Sequence, residues 1–386
     1  MTLNQNLRVM RVVTDSRVVP WHLGKTLNMM TRDFDVIVVG ENVTEYKTDY
    51  PEITFIDIPI TPKISIKKDF IALIKLSLLI VKYKPHIVHS IMPKAGLLSA
   101  AASFFFVPVR IHTFTGQVWQ NMVGSGRRFL KYLDKLVVSL NTLCFTDSHS
   151  QSNFLLTEGI RDHGVALPVL SKGSLGGVDL DKISLANRRT WRSKVRLIYQ
   201  IDEKIFVIGY LARKTREKGA LLILDAFRRI REKYPFVYLM FIGPDDSHGE
   251  LECYKLDNPD WGKNVIEIGA VTEHEEYLAS FDLFCLPSFR EGFGSIVIDA
   301  AALAIPTVGS RISGLVDAVV DSSTGMLFEC GNCDDLYEKL CFFIESPESV
   351  KNYGNRAYER VVNHFDSLII YSELKKVYLR LLTNSH

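Results

Sequence analysis

Residues 286–295 read Leu286-Pro287-Ser288-Phe289-Arg290-Glu291-Gly292-Phe293-Gly294-Ser295, and a helical run, 296–303, follows directly. A buried apolar strand ends, glycines turn the chain, and a helix starts. That order sets unpaired backbone N–H groups and the positive end of a helix dipole at the carboxyl edge of a parallel sheet, where diphosphates bind. Gly292 and Gly294 let the backbone approach a ligand closely, so that Gly292, Phe293, Gly294, Ser295 and Ile296 form a candidate cradle. Glu291 puts a carboxylate beside this anion site, and sugar hydroxyls, which donate to a carboxylate, give it a purpose there. The plainer alternative is a glycine turn carrying a solvent-exposed acid.

Working outward, a second basic element, Gly209-Tyr210-Leu211-Ala212-Arg213-Lys214-Thr215-Arg216-Glu217-Lys218-Gly219, follows a strand and leads into a helix. Arg213 and Lys218 are placed there to neutralise a diphosphate. Strands are readable at 205–211, 238–242, 265–268, 283–286, 306–308 and 324–327, with helical stretches between them. The amino-terminal half alternates in the same way, with β-branched runs at 9–14, 35–39, 53–58, 86–89, 109–113 and 143–146 and helical runs at 23–30, 67–82, 94–105 and 127–140. Strand then helix, repeated, predicts two Rossmann-like α/β domains, 1–178 and 179–366. Residues 179–204, charged and weakly periodic, read as the join. A last helix, 367–382 within the segment 367–386, comes after the second sheet is complete and is available to pack back on the first domain.

The chain has 386 residues, 47% of them hydrophobic and 23% charged, more than one core usually supports. Its net charge of +2 hides an asymmetry, because residues 1–178 hold 20 Lys+Arg against 13 Asp+Glu. An anionic partner for that half is implied, and two basic helical runs, 67–82 and 127–138, suit a membrane surface better than nucleic acid. The longest apolar stretches, 71–81 and 95–109, fall short of the roughly 18 to 20 residues that span a bilayer. With six cysteines lying mostly in apolar runs and no secretory leader before them, a reducing cytoplasm is the expected setting. The pair Cys330 and Cys333 has metal-ligand spacing but lacks a second pair or a nearby histidine pair to complete a metal site.

The second half resembles the retaining glycosyltransferases of family 4, in their bacterial surface-polysaccharide branch. The resemblance is carried by 209–219, Phe241-Ile242-Gly243-Pro244, Ile268-Gly269-Ala270-Val271, 286–301 and 306–319. It implies a GT-B fold, two facing Rossmann-like domains with a cleft between them, and a nucleotide-sugar as co-substrate; because that fold does not normally require a metal, Asp245-Asp246 reads as an ordinary loop and no metal or cofactor is expected. It assigns Arg213 and Lys218 to the donor diphosphate and Glu291 to the donor sugar, and it places Val271 on the donor. Glu291 opens the family's Glu-x7-Glu motif, whose second acid here is Asp299, one methylene shorter. Asp299 either meets the ribose at closer range or through water, or serves only the helix electrostatics.

The first half resembles the family more loosely, through 88–96 and 111–119. Many members carry a histidine where this chain has Thr115, so either His112 substitutes from two residues away or no imidazole stands there. On the expected acceptor side lie Trp21 and His22, in a loop after the first strand, with Lys94 at a helix start and Thr115; each has packing or exposure as its alternative. The implied activity is transfer of a hexose or N-acetylhexosamine, UDP-linked, to a lipid-linked glycan during O-antigen or capsule assembly, at the inner face of the cytoplasmic membrane. The rivals are a nucleotide-sugar-binding or glycan-binding scaffold without activity and a nucleotide-sugar epimerase of the same fold.

Overall fold

The computed structural model describes residues 7–61, 65–161 and 164–384. The chain divides into two compact units, Met1–Gly177 with Ser367–His386, and Val178–Asp366.

The first unit holds β1 (Arg8–Val12), α1 (Gly24–Met30), β2 (Asp35–Gly40), β3 (Thr54–Asp57), α2 (Ile66–Tyr83), β4 (Ile87–Ile91), α3 (Pro93–Ser103), β5 (Val109–Phe114), α4 (Gly124–Leu140), β6 (Leu143–Thr146) and α5 (His149–Thr157). All six strands are parallel, in the order β3-β2-β1-β4-β5-β6. Buried on both faces, the strands are continuous β-branched runs such as Val36 to Val39, as a helix-covered parallel sheet requires.

The second unit holds α6 (Leu185–Ile198), β7 (Phe206–Leu211), α7 (Ala220–Lys233), β8 (Val237–Ile242), α8 (Glu250–Asp257), β9 (Val265–Ile268), α9 (His274–Ala279), β10 (Leu283–Leu286), α10 (Ser295–Ala302), β11 (Thr307–Ser310), α11 (Leu315–Ala318), β12 (Gly325–Phe328), α12 (Cys333–Glu345) and α13 (Pro347–His364). Its sheet order, β12-β11-β10-β7-β8-β9, is again all parallel and repeats the order of the first when both are counted from their own first strand. In each sheet the strand order reverses beside the first strand, between β1 and β4 and between β7 and β10, and such a switch point opens a crevice at the carboxyl edge.

The last helix, α14 (Ser367–Thr383), belongs to the first unit. It buries Tyr371, Leu374, Tyr378 and Leu382 against Leu27, Met30 and Phe34. The Tyr378 hydroxyl accepts from the buried Arg11 guanidinium at 3.0 Å and bonds His89 Nδ1 at 2.6 Å, while His89 Nε2 meets Thr113 Oγ1 at 2.7 Å. Burial holds His89 well below the usual histidine range, hence neutral. A neutral ring donates through one nitrogen and accepts through the other, so the Tyr378 and Thr113 hydroxyls take opposite roles on its two sides.

The stretch expected to be a join is a helix. Within 179–204, α6 turns Arg188, Arg192 and Arg196 toward the unit: Arg196 donates to the Ser280 carbonyl and pairs with Asp282 at 2.8 Å, and Arg192 pairs with Asp282 at 3.0 Å. Arginines four apart therefore share the inward face with Trp191 and Val195, which weakens the apolar period that marks a helix. The loop expected after β1 is helical as well, a π-helical turn at Val19–Leu23 running into α1.

Candidate active site

The order of the second sheet makes β7 and β10 neighbours, with Leu283 opposite Ile208 and Phe284 opposite Gly209. The two elements singled out from the sequence leave the same sheet edge side by side. Their loops are clasped: Phe289 N–H donates to the Glu217 carbonyl at 2.8 Å, and Arg290 forks onto Glu217 at 2.9 and 3.0 Å. Gly219 makes the approach possible. It sits at φ +70°, and a Cβ there would lie 2.1 Å from the Pro287 carbonyl oxygen.

At the mouth of this edge, Glu291 Oε1 accepts from Lys218 Nζ at 2.6 Å and from Ser288 Oγ at 2.8 Å. A carboxylate held twice on one oxygen has a fixed direction, and its second oxygen keeps acceptor capacity. Gly294 precedes α10 at φ +81° and supplies no side-chain cap, so the first-turn N–H groups at Ser295 and Ile296 are not closed off from within. Gly292 is half-buried, and Gly314, at φ +88°, packs where a Cβ would meet the Gly292 carbonyl at 2.3 Å. The Phe293 ring is a correction to the cradle. It is buried and packs on Phe365 at 5.4 Å, so only its backbone faces the turn.

Arg213 is more exposed, with Asp246 3.7 Å away, and its carbonyl accepts from the buried Tyr210 hydroxyl at 2.9 Å. Lys214, the residue between Arg213 and Thr215, is withdrawn from the site: it is buried, pairs with Glu267 at 2.9 Å, and lies over the Phe241 ring. Asp299 is buried on α10, 3.3 Å from His274 Nε2 at the start of α9. Val271, half-buried, packs on the core a few residues before it. Sequence reasoning missed His274 and Ser288. Ser288 lay in plain view three residues before Glu291, but nothing in the sequence joins His274 to a residue 25 positions away.

In the first unit the edge beyond β1 and β4 gathers the loop of Trp21 and His22 with the start of α3, where Ala95 N–H donates to Thr14 Oγ1 at 3.3 Å. Trp21 is 52% exposed with Arg17 over its ring. Gly176 packs so tightly on the His22 carbonyl that a Cβ would lie 2.3 Å from it. Lys94 pairs with Asp69 at 2.9 Å, tying α3 to α2. Thr115 is half-buried just past β5, its carbonyl accepting from Gln117 at 2.8 Å.

His112 is a correction. It is fully buried, its Nδ1 bonds Ser90 Oγ at 2.9 Å, and its ring lies against Gly96, where a Cβ would come within 2.5 Å. Burial pushes its pKa down to about 3. A neutral, enclosed imidazole packs α3 on the sheet and presents no nitrogen to a substrate. Its titration has a consequence for stability. Histidines depressed in the fold stabilise it fully above their unfolded value near 6.5 and lose that contribution as pH falls toward the folded value. His112, held at about 3, should cost roughly 1 kcal/mol at pH 5.5 relative to pH 7.5, and His89, depressed by burial as well, adds to the loss in the same direction. Asp134, raised by burial to about 6, opposes them by roughly 1 kcal/mol over the same window. Urea denaturation should therefore report a net loss of stability on acidification, and His112→Leu should flatten the slope; a slope unchanged in that variant would sink the assignment.

One of the two basic helices read from the sequence is partly spent inside the fold. On α4, Arg127 and Lys131 both pair with Glu158, at 2.7 and 2.6 Å, and both lie over Trp119. Cys330 and Cys333 are half-buried free thiols flanking Asn332, whose side chain caps α12 by accepting from the Asp334 and Asp335 N–H groups. No helix of the described residues is long and apolar enough to cross a membrane.

Residues 192–360 match the family model described as glycosyl transferases group 1. Over 386 residues, 99% of each chain, the protein is 29% identical to the capsular polysaccharide biosynthesis glycosyltransferase CapM of Staphylococcus aureus. It is 23% identical over 361 residues to the UDP-Gal:alpha-D-GlcNAc-diphosphoundecaprenol alpha-1,3-galactosyltransferase of Escherichia coli, covering 91% of this chain and 90% of that one. A solved structure, the sucrose-phosphate synthase of Thermosynechococcus elongatus, shares the fold with a TM-score of 0.79 at 17% identity, over 98% of this chain and 100% of that one. With the twin sheets of Rossmann order and the clasped β7 and β10 loops, these likenesses support a glycosyltransferase of GT-B fold whose residues 192–360 are similar to the glycosyl transferases group 1.

Proposed function

We propose that this glycosyltransferase moves a hexose or N-acetylhexosamine, with retention of anomeric configuration, from a UDP-linked donor to a lipid-linked glycan during capsule or O-antigen assembly. The observation that carries the reading is the Glu291 carboxylate fixed by Lys218 and Ser288 at the uncapped start of α10. The full-length likeness to CapM and the diphosphoundecaprenol substrate in the name of the Escherichia coli relative support the acceptor class. The excess of basic residues in 1–178 supports a site of action at the inner face of the cytoplasmic membrane.

In the mechanism that follows, Arg213, Lys218 and the backbone N–H groups after Gly294 hold the leaving diphosphate, and Glu291 receives sugar hydroxyls on its second oxygen. Lys218 has three N–H donors, of which Glu291 takes one at 2.6 Å, so one ammonium can join sugar site to phosphate site. The acceptor hydroxyl attacks from the face that the diphosphate leaves, and most of the acceleration comes from preorganised positive charge on the departing oxygens. Asp299, already engaged by His274, meets the ribose with its remaining acceptor capacity.

Nucleotide-sugars screened for thermal stabilisation should single out one donor, since a ligand at 100 times its Kd adds about 2.7 kcal/mol. That donor, radiolabelled, should pass its sugar to lipid-linked glycan in isolated membranes, and the rate should survive EDTA because Arg213 and Lys218 supply the charge that a metal otherwise brings. Donor binding without any transfer would favour a scaffold instead, and loss of transfer in EDTA would return the diphosphate to a metal ion.

A further inference from the structure

Helix α2 is apolar on two faces, and the fold uses one. Ala72, Leu76 and Ile80 are buried against the first sheet. On the other side Ile66, Phe70, Ile74, Leu78 and Val81 are 86, 62, 46, 64 and 51% exposed. At 100° per residue these five fall within an arc of about 120°, opposite the buried three. None of the described residues of the unit covers them, and at the end of the adjoining α3 Phe105 and Phe106 are exposed as well. A contiguous apolar strip of this size in water marks a contact surface.

The charges on the strip identify its occupant. Lys67 lies inside the arc, and Lys68, Lys75 and Lys82 follow one border; all four are exposed. Lysine is depleted from the centres of protein–protein interfaces, whereas lysines beside large apolar side chains are the composition of helices that lie in a bilayer surface. The other basic helix, α4, gives two of its charges to Glu158 and is less free to do this. We infer that α2 docks the first unit on an anionic lipid surface, with Phe70, Ile74 and Leu78 inserted among the acyl chains and the four lysines at the headgroups. This rests on the lipid-linked acceptor proposed above, yet vesicle binding is read without any sugar transfer, so the two can fail separately.

The test uses the full chain and two vesicle compositions, phosphatidylcholine alone and phosphatidylcholine with phosphatidylglycerol. Sedimentation should carry the protein down with the anionic vesicles, and added salt should weaken this. Phe70→Ser with Leu78→Ser should lower partitioning at least roughly tenfold, while the far-UV spectrum and nucleotide-sugar binding stay as in the parent chain. Lys67→Gln with Lys75→Gln should lower it too and reduce the salt dependence. A Phe70→Trp probe should shift to the blue and be quenched by brominated acyl chains. Partitioning unchanged by the double serine variant, or a tryptophan that stays unquenched, overturns the proposal. So does a parent chain that sediments as a dimer and becomes monomeric in that variant, because a second copy would then be what covers the strip.

Discussion

Glu291→Gln is expected to lower sugar transfer by roughly 100- to 1000-fold, the loss typical when one preorganised electrostatic contact to a transition state is removed. The change keeps shape and removes charge. In the parent chain Oε1 accepts from both Lys218 and Ser288; an amide there has one acceptor oxygen and two donors, and it no longer neutralises the ammonium 2.6 Å away. Lys218 would then hold the donor diphosphate at least as firmly, so the loss should fall on kcat and leave donor binding near the parent value. Steady-state kinetics with the donor found by thermal screening checks both quantities. Full transfer activity in the glutamine variant would remove Glu291 from the chemistry.

The second large effect is on folding. Ending the chain at Asp366 deletes α14, and with it Tyr371, Leu374, Tyr378 and Leu382 from the core of the first unit. At about 1.5 to 3 kcal/mol for each fully buried large side chain, the loss is of order 6 to 12 kcal/mol as an upper bound. Domains are stable by only about 5 to 15 kcal/mol, so the first unit should lose its cooperative melting transition. The milder Tyr378→Phe leaves the Arg11 guanidinium and His89 Nδ1 short of a partner inside the core, at a cost of roughly 1 to 3 kcal/mol for each unsatisfied group. Calorimetry of both chains decides the matter. A truncated protein that melts like the parent would show the helix to be an ornament.

Much of the fold was legible because its elements announce themselves locally. The strands of both sheets are β-branched runs bounded by turn residues, and the turn at Gly292 and Gly294 is a local event that fixes strand, loop and helix in order. Where local pattern and tertiary use disagree, the reading failed. Helix α6 was taken for a join because the residues it turns inward are Arg188, Arg192 and Arg196, satisfied by carbonyl groups and Asp282, contacts that no hydropathy period records. Helix α13 went unread because its inner face is small: Gly354 lies where a Cβ would meet the Ala304 carbonyl at 2.2 Å.

The same division runs through the site. Residue type and spacing along two loops were enough to propose Glu291, Gly292, Gly294, Arg213 and Lys218 as candidates, since an anion cradle is built largely from consecutive backbone groups and needs glycine where the chain turns tightly. Only the tertiary structure could say that Lys218 reaches Glu291 across 73 residues, that Asp299 faces His274, and that His112 is sealed beneath Gly96. Those contacts depend on which strands become neighbours, and strand order is set by the burial of both sheet faces under helices far apart in the chain. A periodic pattern fixes what each segment becomes; the pairing of β7 with β10, and so the meeting of the two halves of the candidate site, is decided only when all six strands of that sheet compete for one core.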